Sequence, residues 1–197
     1  MRQEGTYLCG FFIYRGEKEE LENYIQERWE KAAAFHGHMC PGLAIGVRAC
    51  EAACQALNCS FSTDEQLVCV TENDACGVDA VSVLLGCSLG KGNLLYHGTG
   101  KMAFNFFSRK SKRGVRVYFK INLSQSSRNK MMDYILSAEL KDLFTISEPS
   151  IPMPIPAKHF ASIACKKCGE YAPEHKIRLQ DGELVCLDCY EEYTRGF

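Results

Sequence analysis

The stretch FHGHMCPGLAIGVRACEAACQAL, residues 35–57, joins a cluster of His and Cys residues directly to a predicted helix. Pro41 suits the first turn of a helix, and the run 41–57 is rich in Ala, Gly and Cys, so neighbouring elements can approach it closely. The preceding run, EKEELENYIQERWEKAAAFHGH, predicts an amphipathic helix that ends near His36. The His and Cys residues therefore lie in the turn between two helices.

A second stretch, TENDACGVDAVSVLLG, residues 71–86, has a similar arrangement. A predicted strand at 66–72 ends in an acidic turn, and Cys76 precedes a predicted helix at 77–87. Asp74 and Asp79 flank this cysteine. Both stretches thus place a cysteine at the start of a helix.

The residue types of the two stretches suit a metal ion. A helix N-terminus stabilises a thiolate, and Gly37 gives the backbone freedom to bring two imidazoles together. Fewer than four fixed protein ligands would leave room for water or substrate, as in a catalytic site. The candidate catalytic residues are His36, His38, Cys40, Cys76, Asp74 and Asp79, of which the first four are the candidate metal ligands.

Plainer interpretations stay open for these residues. His36 could cap the first helix, and Cys40 and Cys76 could be buried apolar side chains, as unpaired cysteines often are. That apolar role is our interpretation of the remaining cysteines between residues 50 and 87, namely Cys50, Cys54, Cys59, Cys69 and Cys87.

The C-terminal tail carries the most specific metal pattern. Two CxxC pairs, Cys165 with Cys168 and Cys186 with Cys189, are separated by seventeen residues. Four soft ligands close a tetrahedral zinc shell, so the zinc is predicted to be structural. Asp181-Gly182 predicts a hairpin and CLDCYEEYTR a helix, and this order resembles a treble-clef zinc finger. Redox-active CxxC pairs are the alternative.

The remaining pattern predicts an α+β protein with a mixed sheet. A β-hairpin is predicted at 101–123 and a helix at 127–144. Four prolines between 149 and 156 predict a stiff connector. We therefore predict a core domain at 1–148, a proline-rich linker at 149–160 and a zinc finger at 161–197.

Charge and hydropathy argue against several functional classes. The formal net charge is -1, and the tail from Cys165 has five Lys or Arg against seven Asp or Glu, so nucleic-acid binding is not expected. No apolar run has the length of a membrane span, and MRQEGTYLCGFF lacks the features of an export signal. A cytoplasmic protein is the expectation.

FHGHMCPGLAIGVRA and ENDACGVDAVSVLLGCSLGKGNLLYHGTGKMAF are similar to the signature segments of the E-type subunit family of formylmethanofuran dehydrogenase, and the added C-terminal finger also occurs there. The resemblance implies a thioredoxin-like core with a mixed sheet of about five strands flanked by helices, and a homodimer formed through that core. It also implies that His36, His38 and Cys40, with Cys76 opposite and Asp74 and Asp79 nearby, line an active site holding zinc or another transition metal.

The family is named for the molybdenum or tungsten enzyme of methanogenesis, so the resemblance implies an accessory subunit of that dehydrogenase or a stand-alone relative. The chain itself has no molybdopterin-binding segment and no iron–sulfur signature. Whether it catalyses a reaction therefore stays open. The alternatives are a carrier or docking protein for a metal or cofactor, without turnover, and a thiol redox protein using Cys40 and Cys76.

Overall fold

The computed structural model describes residues 5–8, 11–14, 18–122 and 127–196, of which residues 5–20 are described for their backbone alone. Cys9 lies outside these ranges, as do parts of the N-terminal segment MRQEGTYLCGFF. The chain forms two compact units, Met1–Pro156 and Ala157–Phe197, called here the core unit and the finger unit. None of the described helices combines the length and apolar character that a bilayer crossing requires.

The predicted helices of the core unit are confirmed, except that the helix predicted at 127–144 is interrupted at residues 138–139 and ends before Phe144. They are α1 (Lys18–His36), α2 (Pro41–Leu57), α3 (Gly77–Leu85) and α4 (Arg128–Ser137), and a short α5 (Leu140–Leu143) follows. Cys40 is the extended N-cap residue of α2, and its sulfur accepts the Leu43 N–H. Asn58 ends α2 and Gly86 ends α3, each in the left-handed conformation. The cysteines at residues 40 and 76 thus stand at helix starts, as their sequence context predicts.

The predicted α+β class and five-stranded mixed sheet are also confirmed. The strands are β3 (Leu67–Thr71), β4 (Leu94–Tyr96), β5 (Ala103–Ser108), β6 (Arg113–Phe119) and β7 (Phe144–Ser147). Their order is β4-β3-β5-β6-β7, with β3 and β4 parallel and the other neighbours antiparallel. Two N-terminal strands, β1 (Gly5–Leu8) and β2 (Phe11–Tyr14), form a separate hairpin. The two edge strands β4 and β7 were not predicted from the sequence.

The helices pack on one face of this sheet. That face presents aromatic and β-branched side chains of β5 and β6, including Phe104, Phe106 and Val117, which are almost fully buried. α2 lies in the middle of the core and crosses α3 very closely: a Cβ atom on Gly46 would lie 2.3 Å from the Gly77 carbonyl oxygen. Glycine at both positions therefore lets the two helices meet near the ends that carry Cys40 and Cys76.

The opposite face is covered by part of the proline-rich segment. Ile151 and Met153 pack against Val68, Val70 and Phe107, and the Arg109 guanidinium donates to the Pro154 carbonyl over 2.7 Å. Residues 149–156 consequently belong to the core unit, and the division between the two units follows Pro156.

The finger unit consists of two small hairpins. β8 (Ser162–Ala164) pairs with β9 (Tyr171–Pro173), and β10 (Ile177–Gln180) pairs with β11 (Glu183–Cys186). The tight turn between β10 and β11 uses Asp181-Gly182, as predicted. The predicted helix in CLDCYEEYTR is wrong, because residues 187–189 form a turn and residues 190–194 are irregular. A segment this short gains little helical stability without a packed face, and Tyr193 in it is 85% exposed.

The core cysteines mostly fill space, as expected. Cys50, Cys69 and Cys87 are fully buried, and burial raises the pKa of each thiol. Cys54 differs from the expectation because it forms a disulfide bond.

Candidate metal centres

The finger unit brings its four cysteines together. The sulfur atoms of Cys165, Cys168, Cys186 and Cys189 all lie within 4.8 Å of one another. Cys165 is buried, and the Cys186 N–H donates to its sulfur over 3.3 Å. Backbone N–H groups of Cys168 and Cys186 lower the pKa of Cys165 to about 6. The backbone therefore favours a thiolate at this position, which is the form that binds zinc.

The core unit assembles a second cluster from three separate elements. His36 is the last residue of α1, His38 lies in the bend after it, and Cys40 and Cys76 precede α2 and α3. One ligand atom from each of these four residues lies within 4.8 Å of the other three. The four residues form a mixed imidazole and thiol set suited to zinc and related transition metals.

His36 is oriented by a carboxylate. Its Nδ1 lies 2.7 Å from Asp79 Oδ2, and in the neutral tautomer that donates Nδ1–H to this carboxylate the lone pair is on Nε2. Nε2 is buried and has no hydrogen-bond partner among the residues that the structure describes. A buried acceptor left in this way costs free energy, whereas a metal ion would satisfy it. The pairing of carboxylate and imidazole is the usual support for a metal-binding histidine.

The two cysteines of the core cluster are held by touching helix ends. A Cβ atom on Gly42, in the first turn of α2, would lie 3.4 Å from Cys76 Cβ. Burial, followed by the neighbouring Cys40, raises the pKa of Cys76. Two sulfurs this close disfavour ionisation of both unless a cation lies between them.

His38 is the most accessible member of the set. It is exposed, and its ring lies 4.4 Å from the His36 ring, centroid to centroid. The preceding Gly37 has a φ of 87°, a left-handed conformation that most residues avoid. A short, exposed bend therefore presents His38, while helix ends hold the other three candidate ligands.

A cavity of about 410 Å³ lies beside the core cluster. Cys76 and His36 form one wall, Asp74 and Asp79 contribute carboxylates, and the other walls are largely apolar, including Leu94 and Tyr96. The volume is in the lower range of small-molecule sites. Of the two predicted carboxylates, Asp79 contacts His36, whereas Asp74 is exposed and lines the cavity without joining the ligand cluster.

A hydrogen-bonded network behind this loop was not found from the sequence. Arg116 binds both oxygens of Glu72, at 2.6 and 3.0 Å, and Asn105 and Thr99 also donate to this carboxylate. These bonds lower the pKa of Glu72 to about 2, the Arg116 contact contributing most. Because Glu72 lies between β3 and the loop leading to Cys76, the network fixes where that loop begins.

Asn73, the next residue, closes the loop itself. Its side-chain amide donates to the Lys101 carbonyl over 3.1 Å, and its oxygen accepts the Ala75 N–H over 3.2 Å. The polar run Glu-Asn-Asp at the end of a buried strand was the only local sign of this network in the sequence. Arg116, the partner of Glu72, lies on β6, far from Glu72 in sequence.

Comparison with known proteins identifies both parts of the chain. A family model described as "FmdE, Molybdenum formylmethanofuran dehydrogenase operon" matches residues 35–145, which include the whole core cluster. A second, described as "Prokaryotic dksA/traR C4-type zinc finger", matches residues 160–195 and all four finger cysteines.

Two individual proteins are similar over nearly the whole chain. A "Probable S-adenosyl-L-methionine-binding protein" of Archaeoglobus fulgidus is 29% identical over 225 aligned positions, covering 96% of this chain and 58% of the relative's length. The crystal structure of an FmdE-like protein of tungsten formylmethanofuran dehydrogenase type, from Syntrophus aciditrophicus, superimposes with a TM-score of 0.63 at 22% identity. That alignment covers 94% of this chain and 96% of the other and supports the fold.

Proposed function

The chain belongs to the family described as "FmdE, Molybdenum formylmethanofuran dehydrogenase operon", and we propose from this membership that it is a metal-binding accessory protein. In this proposal the core cluster holds a zinc-like ion beside the cavity, and the finger holds a structural zinc. The protein works as an accessory subunit of a molybdenum or tungsten dehydrogenase or as a stand-alone relative of one.

The observation that carries the proposal is the state of His36. Its Nδ1 is held by Asp79 at 2.7 Å, and its buried Nε2 has no partner among the described residues. The sulfurs of Cys40 and Cys76 and a ring nitrogen of His38 complete a set within 4.8 Å. Chance packing rarely leaves an oriented imidazole acceptor buried next to two thiols.

The residues divide the work in a definite way. His36, Cys40 and Cys76 anchor the ion from three helix ends, and Asp79 fixes the imidazole tautomer. The exposed His38 is the ligand that leaves most easily, so its departure would open a coordination position toward solvent or the cavity. A bound zinc-like ion supplies Lewis acidity that polarises an oxygen or sulfur of a ligand.

Metal analysis tests the proposal directly. The wild-type chain should carry two zinc-like ions, one of which mild chelation removes first. Cys40→Ser and Cys76→Ser should each reduce the content to one ion, and Cys165→Ser should remove the other. Cys59→Ser is the matched control, since Cys59 is only partly buried and belongs to neither cluster. If the wild-type chain carries a single ion and Cys40→Ser does not change this content, the core cluster binds no ion and the proposed metal site there, the core centre, is refuted.

Thiol redox chemistry is the second candidate, favoured by the proximity of the Cys40 and Cys76 sulfurs. Oxidation would convert the two thiols to one disulfide with release of two protons and two electrons. Thiol titration of oxidised and reduced protein distinguishes it: a change that is two thiols larger in wild type than in Cys76→Ala supports redox chemistry, because the disulfide of Cys54 contributes equally to both proteins.

A carrier role is the third candidate and differs from the first in kinetics. A centre that releases its ion readily to an acceptor chelate, without turnover of any cavity ligand, would indicate metal delivery. The name of the A. fulgidus relative makes S-adenosyl-L-methionine one candidate cavity ligand. Equilibrium dialysis with that compound tests it.

Assembly belongs to the same proposal. Membership of the family leads us to propose a homodimer formed through the core unit and docking to dehydrogenase subunits. Light scattering on the purified full chain tests the dimer: a monomer mass at about 10 μM would contradict a stable one.

A further inference from the structure

We propose that the cavity beside the core cluster selects small organic cations, with an apolar body, over neutral or anionic molecules of the same shape. The inference rests on the proposed function, because two residues of the core cluster, His36 and Cys76, line the cavity. It goes further because it specifies the charge of the ligand and names Asp74 and Tyr96 as the residues that recognise the cationic group.

The charges on the cavity wall have one sign. Both charged residues that line it are acidic, Asp74 and Asp79, and no Lys or Arg lies among the described lining residues. A divalent ion bound by two thiolates has no net charge, so it would not offset these carboxylates. An anionic ligand would thus lose hydration without gaining a counter-charge, whereas a cation gains one.

The two carboxylates have different tasks. Asp79 is already engaged by the imidazole of His36, which fixes its position at the base of the site. Asp74 is exposed and lies two residues before Cys76, so it borders both the cavity and solvent. Asp74 is therefore the carboxylate available to an incoming cation.

The walls suit the apolar body of such a ligand. Tyr96 on the edge strand β4 lines the cavity and is 60% exposed, so its ring offers a face to a ligand. The ring also packs close to Gly98, where an added Cβ would lie 2.6 Å from the Tyr96 hydroxyl oxygen. Glycine at residue 98 thus lets the ring lie against the backbone. Organic cations bind over the faces of tyrosine rings. Leu89 and Leu95 extend the apolar surface of the cavity.

A series of probes with similar apolar bodies tests the charge preference. Choline and 3,3-dimethylbutan-1-ol have the same shape and differ in the charge of the head group, and 3,3-dimethylbutanoate carries a negative charge at the other end of the same apolar body. Each is titrated into the zinc-loaded full chain, and binding is followed by calorimetry and by chemical-shift changes of cavity residues. Choline should bind about tenfold more tightly than the alcohol, and the carboxylate most weakly. The preference should shrink as salt is added.

Two variants locate the effect, and their wild-type side chains are exposed, so the fold should tolerate both. Asp74→Asn should weaken choline about fivefold and leave the alcohol unchanged. Tyr96→Leu should weaken choline by a similar factor while retaining the binding of the alcohol. Asp64→Asn is the control, because Asp64 is an exposed carboxylate of the core unit that does not line the cavity.

Measuring the metal content of every sample distinguishes a failure of the cation preference from a failure of the proposed function. Equal binding of choline and the alcohol, tighter binding of the carboxylate, or no binding of any probe at about 50 mM would each overturn the inference. If such a result occurs while the core centre holds one ion per chain, the proposed function stands and only the ligand class fails. If the core centre holds no ion, the proposed function fails independently of the titrations.

Discussion

The two cysteine-containing clusters use similar ligands but are supported in opposite ways. In the finger unit, four cysteines come from two CxxC turns on small hairpins, and only a few other residues are buried around them, such as Val185. In the core unit, the ligands project from helix ends that pack in a large apolar core. We therefore expect the finger to depend on its metal for folding and the core unit to fold without one.

The difference follows from the size of each unit. About forty residues cannot bury enough apolar surface to fold alone, so metal binding must contribute the missing free energy. The core unit buries whole helices, and α2 alone has buried residues on nearly all of its surface. In the proposed core centre, a metal ion would be free to exchange or to bind a ligand, because the large apolar core supports the fold around it.

The largest expected effect is the loss of the finger's zinc. Structural zinc contributes on the order of 10 kcal/mol to the folding of small zinc domains. Cys165→Ser should consequently unfold residues 157–196 while the core unit keeps its structure. Hydrogen exchange measures this, with Cys40→Ser as the matched change in the other cluster. Full protection of β10 and β11 in strong chelator would break the comparison.

The next effect concerns the helix crossing that places Cys40 and Cys76 together. Gly46→Ala would put a methyl group 2.3 Å from the Gly77 carbonyl oxygen, a backbone atom that cannot move easily. We expect a loss of about 3 kcal/mol in the free energy of unfolding of the core unit and a weaker core centre. Urea unfolding and metal titration measure both.

Gly90→Ala is the control for that change. No atom lies within 4 Å of the position that its Cβ would occupy. Unchanged stability in Gly46→Ala would mean that the two helices can separate without cost. The fold would then not fix the cluster's geometry.

A third prediction concerns the Glu72 network, which should make the stability of the core unit depend on pH. Hydrogen bonds from Arg116 lower the pKa of Glu72 from 4.5 to about 2. Because the pKa of Glu72 is lower in the folded than in the unfolded state, its ionised carboxylate stabilises the fold at pH values above about 4.5. This contribution is lost as the pH falls from about 4.5 to 2. Glu72→Gln should therefore cost about 2 kcal/mol at pH 7 and almost nothing near pH 2.

Unfolding at several pH values measures this dependence for the core unit. Glu139→Gln is the control, since the side chains of Glu139 and Lys141 in its ion pair are 69% and 75% exposed. A constant difference between wild type and Glu72→Gln from pH 7 to pH 2 would contradict the role assigned to the network.

The smallest expected effect concerns the support that Asp79 gives to His36 in the core cluster. Asp79→Asn removes the carboxylate that accepts from His36 Nδ1, and should lower the affinity of the core centre for zinc about tenfold. The finger should keep its ion. Asp74→Asn, on the other side of Cys76 in sequence and outside the cluster, should leave zinc affinity unchanged in the same competition assay. Equal effects of the two variants would remove Asp79 from the support of the centre.

Much of the core site could be predicted from the sequence, because its ligands stand at local signals. Pro41 marks the start of α2, and Cys76 follows a strand and precedes a helix, so both cysteines could be placed at helix N-termini. The roles of Asp74 and Asp79 could not be separated, since they flank Cys76 at similar distances in sequence. Only the packing of α1 against α3 brings Asp79 to His36.

The sequence by itself determined the features that depend on neighbouring residues: the long helices, the Asp181-Gly182 turn and the CxxC pairs. Tertiary structure alone decided the edge strands β4 and β7, the covering of the sheet by residues 149–156 and the bond between Glu72 and Arg116. It also decided against a helix after Cys186, because residues 190–196 are exposed rather than packed on a neighbouring element. The reason is the same in each case: short segments take their conformation from distant partners, whereas long periodic segments and metal-ligand turns carry their own.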